Sequence, residues 1–67
     1  MKLFIARDSD GALFLHAEKP RLLKDIYNEM WCSDNWVILK NESFPEVTFE
    51  NSPMEVELKL IEKCVSK

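Results

Sequence analysis

The chain has one glycine, one histidine and two cysteines among its 67 residues, and it has no basic run. Each scarcity excludes something. A phosphate-cradling loop is built from several glycines, so that class is closed. One histidine, His16, cannot supply the usual His-rich zinc sets, and Cys32, Cys64 and His16 would make three ligands only by coincidence of folding. The two cysteines are far apart and in no CxxC arrangement, whereas a disulfide scaffold of this length normally carries four or more. They are expected to be reduced thiols acting as small apolar residues. A Cys32–Cys64 bridge is open only to an exported protein. The first apolar run ends at Ala6, before Arg7 and Asp8. That is too short for a signal-peptide core or a membrane span, so the expected location is the cytoplasm and no membrane contact is expected.

The net charge is −3, and its distribution matters more than its size. Residues 1–40 balance six Lys/Arg against six Asp/Glu, while residues 41–67 hold three Lys and six Glu. Duplex binding draws most of its affinity from Lys and Arg neutralising phosphates, which this chain is poorly made to do. Nucleic acid is therefore not the expected partner, with single-strand binding kept as an alternative through base stacking on aromatics. A protein partner is the leading expectation.

A chain this short forms one domain, 1–67, and buries only about 60% of the surface its unfolded form exposes. The hydrophobic fraction of 46% makes a core feasible without staples. A dimer sharing strands would add to it, and monomer and homodimer both stand.

The clearest local signal is at the start. Leu3–Arg7 and Ala12–Ala17 are apolar, β-prone runs around Asp8-Ser9-Asp10-Gly11, which reads as a hairpin over about 2–7 and 12–17. Leu3, Ile5 and Arg7 share one face, and Lys2, Phe4 and Ala6 the other. Leu13, Leu15 and Ala17 oppose Phe14 and His16. Both faces carry apolar residues, so the hairpin is expected to be central, or to meet a helix or another chain with its second face.

Pro20 closes the second strand. Beyond it, Leu22, Leu23, Ile26, Tyr27, Met30 and Trp31 recur at helical spacing, with Lys24, Asp25, Asn28 and Glu29 between them. This predicts a short helix over about 21–28. Whether 29–32 continues it or forms a strand stays open. Trp36–Leu39 is a β-branched and aromatic run bounded by polar residues, which predicts a strand over 36–40. Val47-Thr48-Phe49 is a candidate short strand. Towards the end two patterns compete. Ser52-Pro53-Met54-Glu55 fits a capping box, while Val56, Leu58 and Leu60 alternate with Glu55, Glu57 and Lys59. The strand, over 55–61, has the cleaner contrast. The expected class is thus α+β, a small antiparallel sheet with one short helix.

ARDSDGALFL, the Glu18-Lys19-Pro20 step and FPEVTFENSPMEVELKL together resemble small uncharacterised proteins of phage-like and mobile elements from gut bacteria. Those proteins share an A/V-R-D-x-x-G hairpin, an E-K-P step, a middle of variable length and an F-P-E-V-T-[FW]-E-x-x-P-x-E-V-E-L ending. The resemblance covers both ends and is weakest across 21–43. It implies an accessory role in such an element and a strand at Glu55–Leu60. It transfers no catalytic residue, binding residue or cofactor.

No catalytic set emerges from the residues themselves. His16 has Glu18 two positions on, a pairing that could serve a general base but is also ordinary for a strand. Ser9, Ser33, Ser43, Ser52 and Ser66 sit in turns or the tail, where serine serves the backbone. Asp8 and Asp10 lack the later ligands of a calcium loop. The expected function is a non-enzymatic interaction module without a cofactor. Its candidate interface is aromatic and acidic: Trp31, Trp36, Phe49, Glu50, Glu55 and Glu57, since Trp often anchors interface hot spots. Whether Trp31 and Trp36 are buried is left open by the sequence.

Overall fold

The structure, a computed structural model, describes residues 2–57. It is all β. Six strands run in chain order: β1 Lys2–Arg7, β2 Leu13–His16, β3 Arg21–Lys24, β4 Glu29–Cys32, β5 Trp36–Leu39 and β6 Met54–Glu57. They form a four-stranded sheet, in the order β5-β2-β1-β6, and a separate β3-β4 ribbon. All pairings are antiparallel.

The hairpin β1–β2 sits at the centre of the larger sheet, and its two apolar faces meet different elements, the 40–53 loop on one side and the ribbon on the other. Arg7 lies opposite Leu13, leaving a three-residue connection, Ser9-Asp10-Gly11, inside the Asp8–Ala12 pair. The Asp8 N–H donates to the Ala12 carbonyl at 2.8 Å, and Gly11 N–H to the Asp8 carbonyl at 3.0 Å. The Asp10 carboxylate accepts the Ala12 N–H. Gly11 has φ 97°, the left-handed backbone that this loop class requires and glycine adopts without strain. On one face Ile5 and Leu13 pack against Val47 from the 40–53 loop, with Leu15, Leu39 and Val56 around them. On the other, Ala6 and His16 are buried.

The predicted helix over 21–28 does not exist. Residues 21–24 form β3, and 29–32, left open by the sequence, form β4. An eight-residue helix is marginal by itself and needs an apolar surface to lie on. Local side-chain chemistry favours a turn instead. The Asp25 carboxylate accepts the N–H groups of Tyr27 and Asn28 at 2.8 and 2.7 Å, which holds its pKa below the ordinary value. Asp25 N–H donates to the Asn28 carbonyl, closing a two-residue turn. Aspartate competes with helix in this way wherever a neighbouring N–H is free. The N-terminal hairpin loop then fixes β4 in place. Ser9 exchanges bonds with the Glu29 main chain, and Asp8 accepts the Trp31 N–H at 2.9 Å.

The 40–53 loop has no strand at 47–49. Arg7 organises it. Its Nε donates to the Val47 carbonyl, Nη1 to those of Gly11 and Asn41, and Nη2 to those of Ser43 and Phe44, over 2.6–3.2 Å. All five guanidinium donors are used on main-chain oxygens. The capping box does not form either. The Ser52 hydroxyl accepts the Arg7 N–H and donates to the Thr48 carbonyl, and Met54–Glu57 pairs with β1. The remainder of the predicted strand, 58–61, lies outside the described residues, as does Cys64. Cys32 is a free thiol.

Candidate interaction surface

The described residues divide unusually between inside and outside. Four apolar residues are buried: Ile5, Ala6, Leu13 and Val47. Nine large ones are exposed, and they fall mainly in two places, the β3–β4 ribbon and the β5 edge. Scattered exposed apolar side chains are normal, but grouped ones mark interaction sites.

The ribbon is the first place. Every residue of β3 is exposed, and Ile26 and Tyr27 form the tip, 85% and 84% accessible. Two-residue hairpin turns favour Asn-Gly or similar pairs, because those residues accept the turn's backbone. Isoleucine and tyrosine serve neither the turn nor the core here. Sequence reading missed this site by placing Leu22, Leu23, Ile26 and Tyr27 on the buried face of a helix. The available signal was the Asp25…Asn28 frame around just two residues.

The β5 edge is the second. Trp36, Val37 and Ile38 are all more than half exposed. Trp36 meets the edge of Phe14, with ring centroids 5.1 Å apart. The pairing registers place Trp36, His16, Phe4 and Glu55 in one row across the sheet. Trp36 and Glu55 therefore share a face but stand at opposite edges, three strand spacings or about 14 Å apart. Glu57 lies opposite Lys2 on the same side, and Glu55 pairs with Lys2 at 3.3 Å. Trp31 and Phe49 come together on their own, centroids 6.2 Å apart and both half-buried. Glu50 is exposed in the adjoining turn. The six sequence-predicted residues thus fall into separate groups and not one patch.

Between the ribbon and the sheet lies a cavity of about 200 Å³, lined by Phe14, His16, Met30, Trp31, Cys32, Ser33 and Trp36. His16 is 1% exposed, with Nδ1 2.7 Å from the Ser33 hydroxyl, which in turn donates to the Asn35 carbonyl. This arrangement makes Nδ1 the donor. A Ser–His contact serves nucleophilic catalysis when a third group orients the base. No such partner of Nε2 is present among the described residues. These residues also contain no cluster of three or more His, Cys, Asp or Glu able to hold a metal. A second concavity of about 440 Å³ runs between the sheet and the loop, lined by Ile5, Leu15, Leu39, Phe44, Glu46, Val47, Met54 and Val56.

Burial lowers the His16 pKa, opposed in part by the charges of Asp8 and Glu18. Burial also raises that of Asp8, opposed by its bond from the Trp31 N–H. The folded His16 takes a proton less readily than the unfolded one, whose ordinary value is 6.5. Its contribution to stability is whole above that pH and is lost as the pH falls towards the folded value. Asp8 acts oppositely, in a window just above 3.8. Urea midpoints should therefore drop as the pH falls below about 6.5, and His16→Gln should flatten that slope. A slope unchanged in the variant would place the acid sensitivity elsewhere.

Compared with protein-family models, curated proteins and solved structures, the chain matches none. No described helix is long and apolar enough to cross a membrane.

Proposed function

We propose that this protein is a non-enzymatic interaction module whose β3–β4 ribbon inserts its tip, Ile26 and Tyr27, into an apolar groove on a protein partner. The exposure of those two side chains at a turn that needs neither carries the reading. Tyrosine is enriched among interface hot spots because its ring is large, rigid and amphipathic. The ribbon presents it with Leu22 and Leu23 behind, and with Arg21, Lys24, Asp25 and Glu29 as a charged rim. A phage or mobile-element accessory role, acting as adaptor or inhibitor, fits a module of this size. The acidic edge at Glu55 and Glu57 would add charge complementarity towards a basic partner.

Photo-crosslinking in the cells that make the protein tests this. A photoreactive residue at Tyr27 should capture a distinct protein, one at exposed Glu42 should not, and Ile26→Asp should abolish the capture. If the Tyr27 position captures nothing beyond the Glu42 control, the ribbon is not the contact.

A further inference from the structure

We propose that the open edge of β5 pairs with β5 of a second copy of this chain, antiparallel about a twofold axis through Val37. This inference does not rest on the ribbon reading, since it uses a different edge of the molecule.

Among the described residues β5 ends the sheet and packs against β2 alone. Edge strands are normally protected by charges, proline or a bulge, because their free N–H and C=O groups template further pairing. The opposite edge follows that rule: β6 carries Glu55 and Glu57. Trp36-Val37-Ile38-Leu39 has no such device, and Trp36, Val37 and Ile38 are 54%, 56% and 64% exposed.

The register follows from the ladder. The Ala17 N–H donates to the Asn35 carbonyl at 2.9 Å. Main-chain groups alternate sides along a strand, so Asn35, Val37 and Leu39 bond towards β2, and Trp36 and Ile38 point to the open edge. A twofold axis joining two identical antiparallel edges runs perpendicular to the sheet, and it pairs residues that share a face. Three registers satisfy both conditions: Trp36 opposite Trp36, Trp36 opposite Ile38, or Ile38 opposite Ile38. The first sets Asp34 against Ile38. The last sets Asp34 against Glu42 and Lys40 against Trp36. The middle register sets Val37 against its own copy, forms four main-chain hydrogen bonds between Trp36 and Ile38, and brings Asp34, in the bend before the strand, towards Lys40, just after it, at both ends. Opposite charges facing across strands stabilise a pairing and like charges weaken it, so charge selects this register. The product is a continuous eight-stranded sheet with both ribbons on one side. The interface is small, which puts it in the weak, concentration-dependent class.

Sedimentation over a range of concentrations should show a monomer–dimer equilibrium. Proline is tolerated on an edge strand where its nitrogen faces outwards, so Ile38→Pro should give a monomer with an unchanged circular dichroism spectrum. Asp34→Lys or Lys40→Asp alone should raise the dissociation constant roughly tenfold, and the double variant D34K/K40D should restore it. With Cys32 and Cys64 replaced by serine, Val37→Cys should cross-link to itself under mild oxidation and Ile38→Cys should not. A chain that stays monomeric at every concentration would overturn the proposal. So would a dimer indifferent to the charge exchange, or one cross-linking through position 38 and not 37. Loss of ribbon capture with this pattern intact would sink only the functional reading.

Discussion

Arg7→Ala should cost more stability than any other single change to a polar residue in this protein. Among the described residues the guanidinium alone reaches Gly11, Asn41, Ser43, Phe44 and Val47 together, and each bond ends on a main-chain oxygen. Hydrogen bonds to charged groups contribute about 1.5–3 kcal/mol each. Several of these carbonyls keep access to water, which will replace part of what is lost, so the net expectation is about 3 kcal/mol. A domain of this size has roughly 3–10 kcal/mol in total, and the loss is a large share of it. The loop would also release Val47, one of the four buried apolar residues. Arg7→Lys should fail to rescue, because an ammonium offers three donors and no planar fork. Urea unfolding followed by tryptophan fluorescence measures both. A midpoint for Arg7→Ala within error of the parent would show that the loop holds without its clamp.

The second large effect separates two leucines of identical chemistry. Leu13 is fully buried between the central strands and Val47, and Leu13→Ala should cost about 2–5 kcal/mol through lost transfer energy and the cavity left behind. Leu23→Ala should change stability by about 0.5 kcal/mol or less, as exposed positions do, since Leu23 is half exposed on the ribbon. A helix over 21–28 would have reversed that expectation by making Leu23 part of the core. Comparable losses for the two variants would therefore argue for the helix and against the ribbon.

The sequence carried the hairpin in full. Its turn residues, its alternation and its glycine are local properties, and they describe Lys2–Arg7 and Leu13–His16 without reference to the rest of the chain. The two apolar faces of that hairpin left open a central position or a second face against a helix or another chain, and in the structure the hairpin is central. Trp36–Leu39 was equally legible, because a β-branched and aromatic run between polar residues has few alternatives. The choice of strand at the C-terminal end held for the part the structure describes, Met54–Glu57.

Three things were decided only in three dimensions. The fate of 21–32 turned on a competition between helical spacing and the bonds that Asp8, Ser9 and Asp25 make to the β3–β4 backbone; two of those three residues lie at least 20 positions from their Glu29 and Trp31 partners. The role of Arg7 was invisible because its acceptors are main-chain carbonyls up to 40 residues away, which leave no side-chain signature. The grouping of Trp31, Trp36, Phe49, Glu50, Glu55 and Glu57 depended on strand order, which sends Trp36 and Glu55 to opposite edges of one sheet. The one glycine takes a left-handed turn, and the one histidine is buried beside a serine. Local chemistry in the sequence set where the chain turns. Long-range hydrogen bonding and sheet order set which apolar residues were left outside, and the proposed contacts rest on those.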